Sequence, residues 1–391
     1  MFNRRVGTIC AQYAIALIAT LCAICVPSAA ASHEALGAPP LWVTAYYAVW
    51  SQERHVLDPR EIDFSAITHL IHFAVEPAAD GSIDTSKGRD VITPAQSADV
   101  IAAAHAAGRP VLLCVGGDAG GAGFHAAVHD PPARSALEAT LVKLVVDRGY
   151  DGLDIDFEPL NRPDVADFDT FVRDMRAQLN AAKPGLMMTA AAGSQQVQEY
   201  ASVQDLFDQI NLMTYDLSGR WIGPVTWFNS CLQNAGNRLL PRGTPCPSVS
   251  GRVKQFLDAG VNPKKLSIGT AFYGFIWNGA NGPLQAFADA APRDIAYSRL
   301  MDQYYAPAVY RWDGMADAPY LSIDASDPAK RLFISYDDER LIRDKVRYAR
   351  THGLGGVMIW ELGDGYRRNQ PSGQRDLLLK AVKDAVNEPS P

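Results

Sequence analysis

Cysteine is scarce beyond the first 25 residues. Of six, Cys10, Cys22 and Cys25 lie there, and only Cys114, Cys231 and Cys246 follow. That excludes a small disulfide-stapled scaffold and a cysteine-rich metal site. The eight histidines form no HxH or HExxH pair, so a helical metalloprotease signature is absent. No run of Lys and Arg occurs and the formal charge is −7, which argues against nucleic acid as a partner. The stretch "GGDAGGAGFH" is rich in glycine but carries no GK[ST], so it reads as a loop and not a phosphate cradle. No internal repeat, low-complexity linker or second catalytic domain is visible.

What is present is a sorted chain. Hydrophobic residues make up 48% of it, enough for a full core. Arg4 and Arg5, the apolar run Ala14 to Val26, and small residues near Ala29 to Ala31 read as a secretory signal over residues 1–31. An uncleaved anchor is the alternative, but the run is short for a span of about 20 residues. Cleavage takes the formal charge from −7 to −9. It leaves a secreted chain, extracellular or periplasmic, without stable membrane association and expected to be a monomer. In an oxidising compartment Cys231 and Cys246 are expected to pair, closing a loop worth roughly 3 kcal/mol; two free thiols are the alternative. Cys114 reads as a small buried hydrophobe.

From residue 40 to 390 short β-rich runs alternate with helical stretches. The strands are "LWVTAYYAVW", "ITHLIHFAV", "PVLLCVGG", "DGLDIDFE", "GLMMTAAAG", "QINLMTYD", "KLSIGTAFYG" and "GLGGVMIWELG". Helical patterns follow them, among them "VITPAQSADVIAAAHAAG", "ARSALEATLVKLVVDRG", "VADFDTFVRDMRAQLNAA", a short one near "SVQDLFD", and "VSGRVKQFLDAG". Eight strand–helix units in one sheet predict a closed (β/α)8 TIM barrel. Residues 275–332 have little helical periodicity. "YRWDGMADAPYLSI" and "KRLFISYDD" predict paired strands in a small α+β insertion between strand 7 and helix 7, "DERLIRDKVRYARTHG".

The informative stretch is "YDGLDIDFEP". On a strand Asp154, Asp156 and Glu158 share one face, while Leu153, Ile155 and Phe157 take the other. The acids point inward, spaced roughly 6.6 Å apart, with Glu158 at the C-terminal end where barrel active sites sit. Carboxylates so close cannot all ionise cheaply, which is a way to hold one protonated as a general acid. A set of acids neutralised by buried Arg or Lys, and a divalent cation site, are the alternatives. His69 and His72 face opposite ways on their strand and cannot join such a site.

Asp151, Asp154, Asp156 and Glu158 match the DxxDxDxE signature of glycoside hydrolase family 18, the chitinase family. "VLLCVGG" resembles its third strand, with Gly116 and Gly117 in place. "LMTYD" resembles the sixth, "GTAFYG" the seventh and "GVMIWELGDG" the eighth. The likeness spans nearly all of the chain after residue 40, and "DGLDIDFEPL" and "TWFNSCL" look most like secreted bacterial members. Cys114, Phe157 and Asp118 depart from the usual residues. The departures at Cys114 and Phe157 are expected not to touch the chemistry, and Asp118 leaves a sugar subsite open.

The resemblance implies hydrolysis of chitin or N-acetylglucosamine oligosaccharides without a cofactor or metal. It implies substrate-assisted retention, an exception to the two-carboxylate scheme. Glu158 would protonate the glycosidic oxygen, Asp156 hold the substrate acetamido group, Asp154 exchange a proton or hydrogen bond with Asp156, and Tyr215 bond the acetamido group. Asp216 and Trp360 would touch the sugar, together with Gly117, Tyr46, Phe73 and Tyr273. Tyr47, Trp50, Trp221, Trp227 and Trp277 also fall near strand ends, and any single aromatic is equally a core residue. A non-catalytic, lectin-like chitin binder and an endo-N-acetylglucosaminidase acting on N-glycans remain the alternative readings.

Overall fold

The computed structural model describes residues 41–85, 91–219, 223, 225–234, 236–239, 243–287 and 291–389. The signal reading of residues 1–31 and the aromatic at 221 lie outside them. Eight parallel strands close a barrel. They are β1 (Trp42–Ala48), β2 (His69–Val75), β3 (Val111–Gly116), β4 (Gly152–Asp156), β5 (Met187–Ala192), β6 (Gln209–Leu212), β7 (Leu266–Ala271) and β8 (Gly356–Trp360). Each pairs with its sequence neighbour, and β1 closes on β8 with Trp42 opposite Gly356.

The outer helices follow the expected pattern with one correction: residues 121–125 of the glycine-rich stretch, expected as loop, open a helix that runs on to His129. They are α1 (Pro94–Ala106), α2 (Gly121–His129), α3 (Pro131–Arg148), α4 (Val165–Ala182), α5 (Val197–Val203), α6 (Val249–Asp258), α7 (Glu339–Thr351) and α8 (Leu377–Asn387). Their starts are capped by short polar side chains. Thr93 and Gln96 form a reciprocal capping box on α1, and Asp130, Ser248, Asp338 and Asp376 cap α3, α6, α7 and α8. Alternation along β4 works as the sequence requires. Leu153, Ile155 and Phe157 enter the large core between strands and helices, where Phe157 packs on Phe124 and Phe168. Inside the barrel a second cluster holds Tyr46, Ile71, Phe73, Leu112, Cys114, Tyr215 and Met358. Among the described residues no helix is long and apolar enough to cross a membrane.

The insertion is a five-stranded antiparallel sheet built from Tyr273–Asn278, Arg293–Ala296, Tyr310–Asp313, Ala318–Ile323 and Leu332–Tyr336. The run "KLSIGTAFYG" is therefore two strands. It breaks at Phe272, whose N–H donates to the Trp360 carbonyl at 2.7 Å, and the chain leaves the barrel there.

A buried ion pair ties this insertion back. Lys345 on α7 contacts Asp337 at 2.5 Å, and both side chains are fully buried. Lys345 also donates to the Ser230 hydroxyl and the Gly269 carbonyl, and Asp337 accepts from the Ala271 N–H. One cation thus joins β7, the insertion exit and α7. Lys345→Met should destabilise the chain by about 3–5 kcal/mol, because it strands a buried carboxylate. Denaturant melts decide this: a loss under about 1 kcal/mol would place the stability of this corner in packing instead.

The expected disulfide is corrected. Cys231 and Cys246 are buried free thiols. The Cys231 thiol donates to the Pro247 carbonyl at 3.5 Å, and the Cys246 N–H donates to the Asn237 carbonyl at 2.9 Å. The turn is held by these bonds and by a small hairpin, Arg238–Leu239 against Thr244–Pro245.

Candidate active site

β4 delivers the acids. Asp154 is fully buried in the barrel. Its Oδ2 accepts from the Tyr46 hydroxyl at 2.9 Å and its Oδ1 from the Thr189 hydroxyl. Burial raises its pKa, and these donors pull it back. Asp156 lies one turn of the pleat further along and is 3% exposed. Burial first, then the charges of Glu158 and Asp154, push its pKa well above the carboxylate range. Glu158 stands just past the strand end. Burial pushes it up to about 7; the bond to Asp156 lowers it, and the charges of Asp118 and Asp216 raise it. The charge of Glu158 raises Asp156, so the two carboxyls cannot both ionise cheaply. Among the described residues, no Lys or Arg pairs with these three acids.

Two glycines set the closeness. Gly116 has φ +109, and a Cβ there would lie 2.0 Å from the Asp156 carbonyl oxygen. Gly117 has φ +90; a Cβ would meet the Phe73 ring at 2.5 Å, and its N–H donates to the Asp156 carbonyl at 2.8 Å. Only glycine lets β3 and its loop approach β4 and Phe73 this closely.

Opposite the acids, Tyr215 is buried with its hydroxyl toward Met358 at 3.7 Å. Its ring fills the space that Gly269 leaves open, since a Cβ there would lie 2.7 Å from it. Asp216 follows in left-handed backbone, φ +53. Its N–H is held by Asn229 at 2.9 Å, and its carboxylate accepts from the Tyr273 hydroxyl. Burial raises its pKa to about 6. Trp360 is half-buried at the end of β8, with the Phe73 ring edge-on at 4.6 Å and Tyr46 at 5.4 Å. Trp50 stands against Phe73 at 5.6 Å. An aromatic floor thus lies beside a row of acids, an arrangement suited to a ring with an apolar face and polar edges. A cavity of about 330 Å³ opens beside Glu158, between Tyr215, Asp216, Met213, Gln195 and Arg252.

A profile of the family described as glycosyl hydrolases family 18 matches residues 43–365. The chain belongs to that family. It is a glycoside hydrolase of the chitinase type. Chitinase B of Serratia marcescens is 28% identical over 82% of this chain and 76% of its own. Chitinase A1 of Niallia circulans is 28% identical over 72% of this chain, which spans 44% of that longer protein. Among solved structures, a family 18 N-acetylglucosaminidase from Paenibacillus barengoltzii aligns with TM-score 0.72 at 27% identity, over 88% of this chain and 99% of that one.

Within this family 18 barrel the expected residues sort into two groups. Asp154, Asp156, Glu158, Tyr215, Asp216, Tyr46, Phe73, Tyr273 and Trp360 converge at the C-terminal ends of the strands. Gly117 sits among them as a spacer beneath Phe73. Asp151 lies at the other end of β4, where it accepts from the Val111 N–H and contacts His105. Tyr47, Trp227 and Trp277 are fully buried in the outer core, away from the barrel mouth. Cys114 is fully buried in the apolar cluster inside the barrel, the small buried hydrophobe that was expected. Thr189, Met213, Gln195 and Arg252 carried no sequence signal, since each is an ordinary residue whose importance comes only from closure of the barrel.

Proposed function

We propose that this chain hydrolyses β-1,4 linkages between N-acetylglucosamine units of chitin and chitooligosaccharides, with retention at the anomeric carbon. The observation that carries the reading is Glu158 at the end of β4, largely buried beside Asp156 and held up to about 7 by that burial. Glu158 in its acid form gives its proton to the glycosidic oxygen as the C1–O bond breaks. The substrate's acetamido oxygen bonds to C1 and forms an oxazolinium ring. Asp156, now ionised, holds the acetamido N–H and balances the positive ring. Water then adds to C1 and returns a proton to Glu158, and the ring reopens. Tyr215 and Asp216 steady the acetamido side, and Trp360 carries the sugar's apolar face. The chain is further proposed to be exported through residues 1–31.

Glycosidase names among the relatives and the presence of Glu158 support cleavage over a binding-only role. Release of fluorophore from a chitobiose glycoside tests this, and comparison of colloidal chitin with a high-mannose glycoprotein separates the N-glycan reading. The pH profile gives a further check. Glu158 must be protonated to act, and burial holds its pKa at about 7. kcat/KM should therefore fall as pH rises through about 7. A basic limb near pH 4.5, the ordinary glutamate range, would contradict the assignment.

A further inference from the structure

Behind the catalytic strand, on the helix side, three ligating groups meet. His125 and His129 lie one turn apart on α2, and Asp164 comes from the loop between β4 and α4. Asp164 Oδ1 lies 3.1 Å from His125 Nδ1 and 2.8 Å from His129 Nε2. One ligand atom from each of the three residues lies within 4.8 Å of the other two.

The outer ring nitrogens fix the tautomers. His125 Nε2 lies 3.3 Å from the Glu158 carbonyl oxygen, which only accepts. His129 Nδ1 lies 2.6 Å from the Asp167 carboxylate. Both outer nitrogens must carry a proton. In a neutral ring the inner nitrogen is then a bare lone pair. Two such lone pairs facing one carboxylate oxygen favour a cation between them, and one metal ion supplies it. The second oxygen of Asp164 is already engaged by the Asn161 N–H at 2.8 Å. Every candidate ligand therefore has an outer partner that orients it, the pattern seen around bound metals.

We propose that His125 Nδ1, His129 Nε2 and Asp164 form a site for a divalent transition metal, zinc by donor type, with water in the fourth position. Two imidazoles and a carboxylate suit zinc. Zinc–ligand bonds of about 2.0–2.2 Å set tetrahedral ligand atoms about 3.3 Å apart, so the two histidine–Asp164 distances of 3.1 and 2.8 Å need only small outward shifts. The fourth position opens to water, since the His129 side chain is 40% exposed. This is a site apart from the sugar cleft. It would pin α2 to the loop after β4, with His125 packed on Phe157 at 4.4 Å and bonded to the backbone of Glu158.

The test uses the full chain, stripped by dialysis against chelator and titrated with Zn²⁺ in a calorimeter. One equivalent should bind and raise the melting temperature. Co²⁺ in its place should give the intense visible bands of a tetrahedral site without a thiolate charge-transfer band, which separates this site from binding to cysteine. Asp167→Asn should weaken binding roughly 10–100-fold through the lost orienting bond, and His129→Gln by more. Circular dichroism confirms that the variants fold. Failure of the parent chain to bind one equivalent overturns the proposal, and that result stands even if a variant does not fold. Equal affinity in parent and His129→Gln chains overturns it as well.

Discussion

Glu158→Gln is expected to leave the fold and sugar binding intact and to lower kcat by about 10²–10⁴-fold or more, the span of positioned acid–base catalysis. The amide has the size and shape of the acid but cannot give a proton to the leaving oxygen. The size of the loss follows from what surrounds Glu158. Burial, with the charges of Asp118 and Asp216, raises its pKa to about 7. Asp154 cannot take its place, because it is fully buried and already held by Tyr46 and Thr189. Binding of a chitooligosaccharide, measured by calorimetry, should persist, since the aromatic floor of Trp360 and Phe73 is untouched. Near-parental turnover by the folded variant would remove Glu158 from the chemistry.

The acid strand was legible because two local rules coincide there. Alternation fixes which side chains face inward, and a closed barrel admits no partner for an inward carboxylate except a neighbour or a ligand. The same rules separated Asp154, Asp156 and Glu158 from Phe157, and His69 from His72. Eight strand–helix units then followed from spacing alone. What escaped the sequence was long-range. "KLSIGTAFYG" reads as one strand, and nothing local announces that Phe272 hands the chain to a second sheet. The helix Tyr297–Gln303 is too short for its periodicity to stand out in the insertion. Cys231 and Cys246 looked like a lone pair in an exported loop, yet Cys231 turns its thiol to the Pro247 carbonyl. His125 and His129 form no HxH or HExxH motif, and their third partner lies 35 residues beyond His129. Cys114 read as apolar filler, and only the register of β3 against β4 sets it opposite Asp154.

Asp156→Ala should lower kcat on the order of 10²–10³-fold, the usual size of a lost electrostatic partner in the transition state, with a smaller change in KM. Asp156 Oδ1 is buried and has no hydrogen-bond partner among the described residues. A buried oxygen left bare is costly unless something arrives to fill it. An acetamido N–H on the reacting sugar is the donor that fits. Asp156 and Glu158 rise from the same strand and approach the sugar from the same side. On the proposed mechanism neither attacks C1 from the face opposite the leaving group, and the substrate's 2-acetamido oxygen is the nucleophile. Three results follow from this geometry. Glycosides of N-acetylglucosamine should react where the matching glucosides do not. A thiazoline mimic of the oxazolinium ring should compete with substrate in the parent chain and lose most of its affinity in Asp156→Ala. Two inversions at C1 should deliver the β-anomer first. Proton NMR of the earliest product is decisive, because an α-anomer formed first would mean that water attacks C1 directly and that Asp156 has some other task.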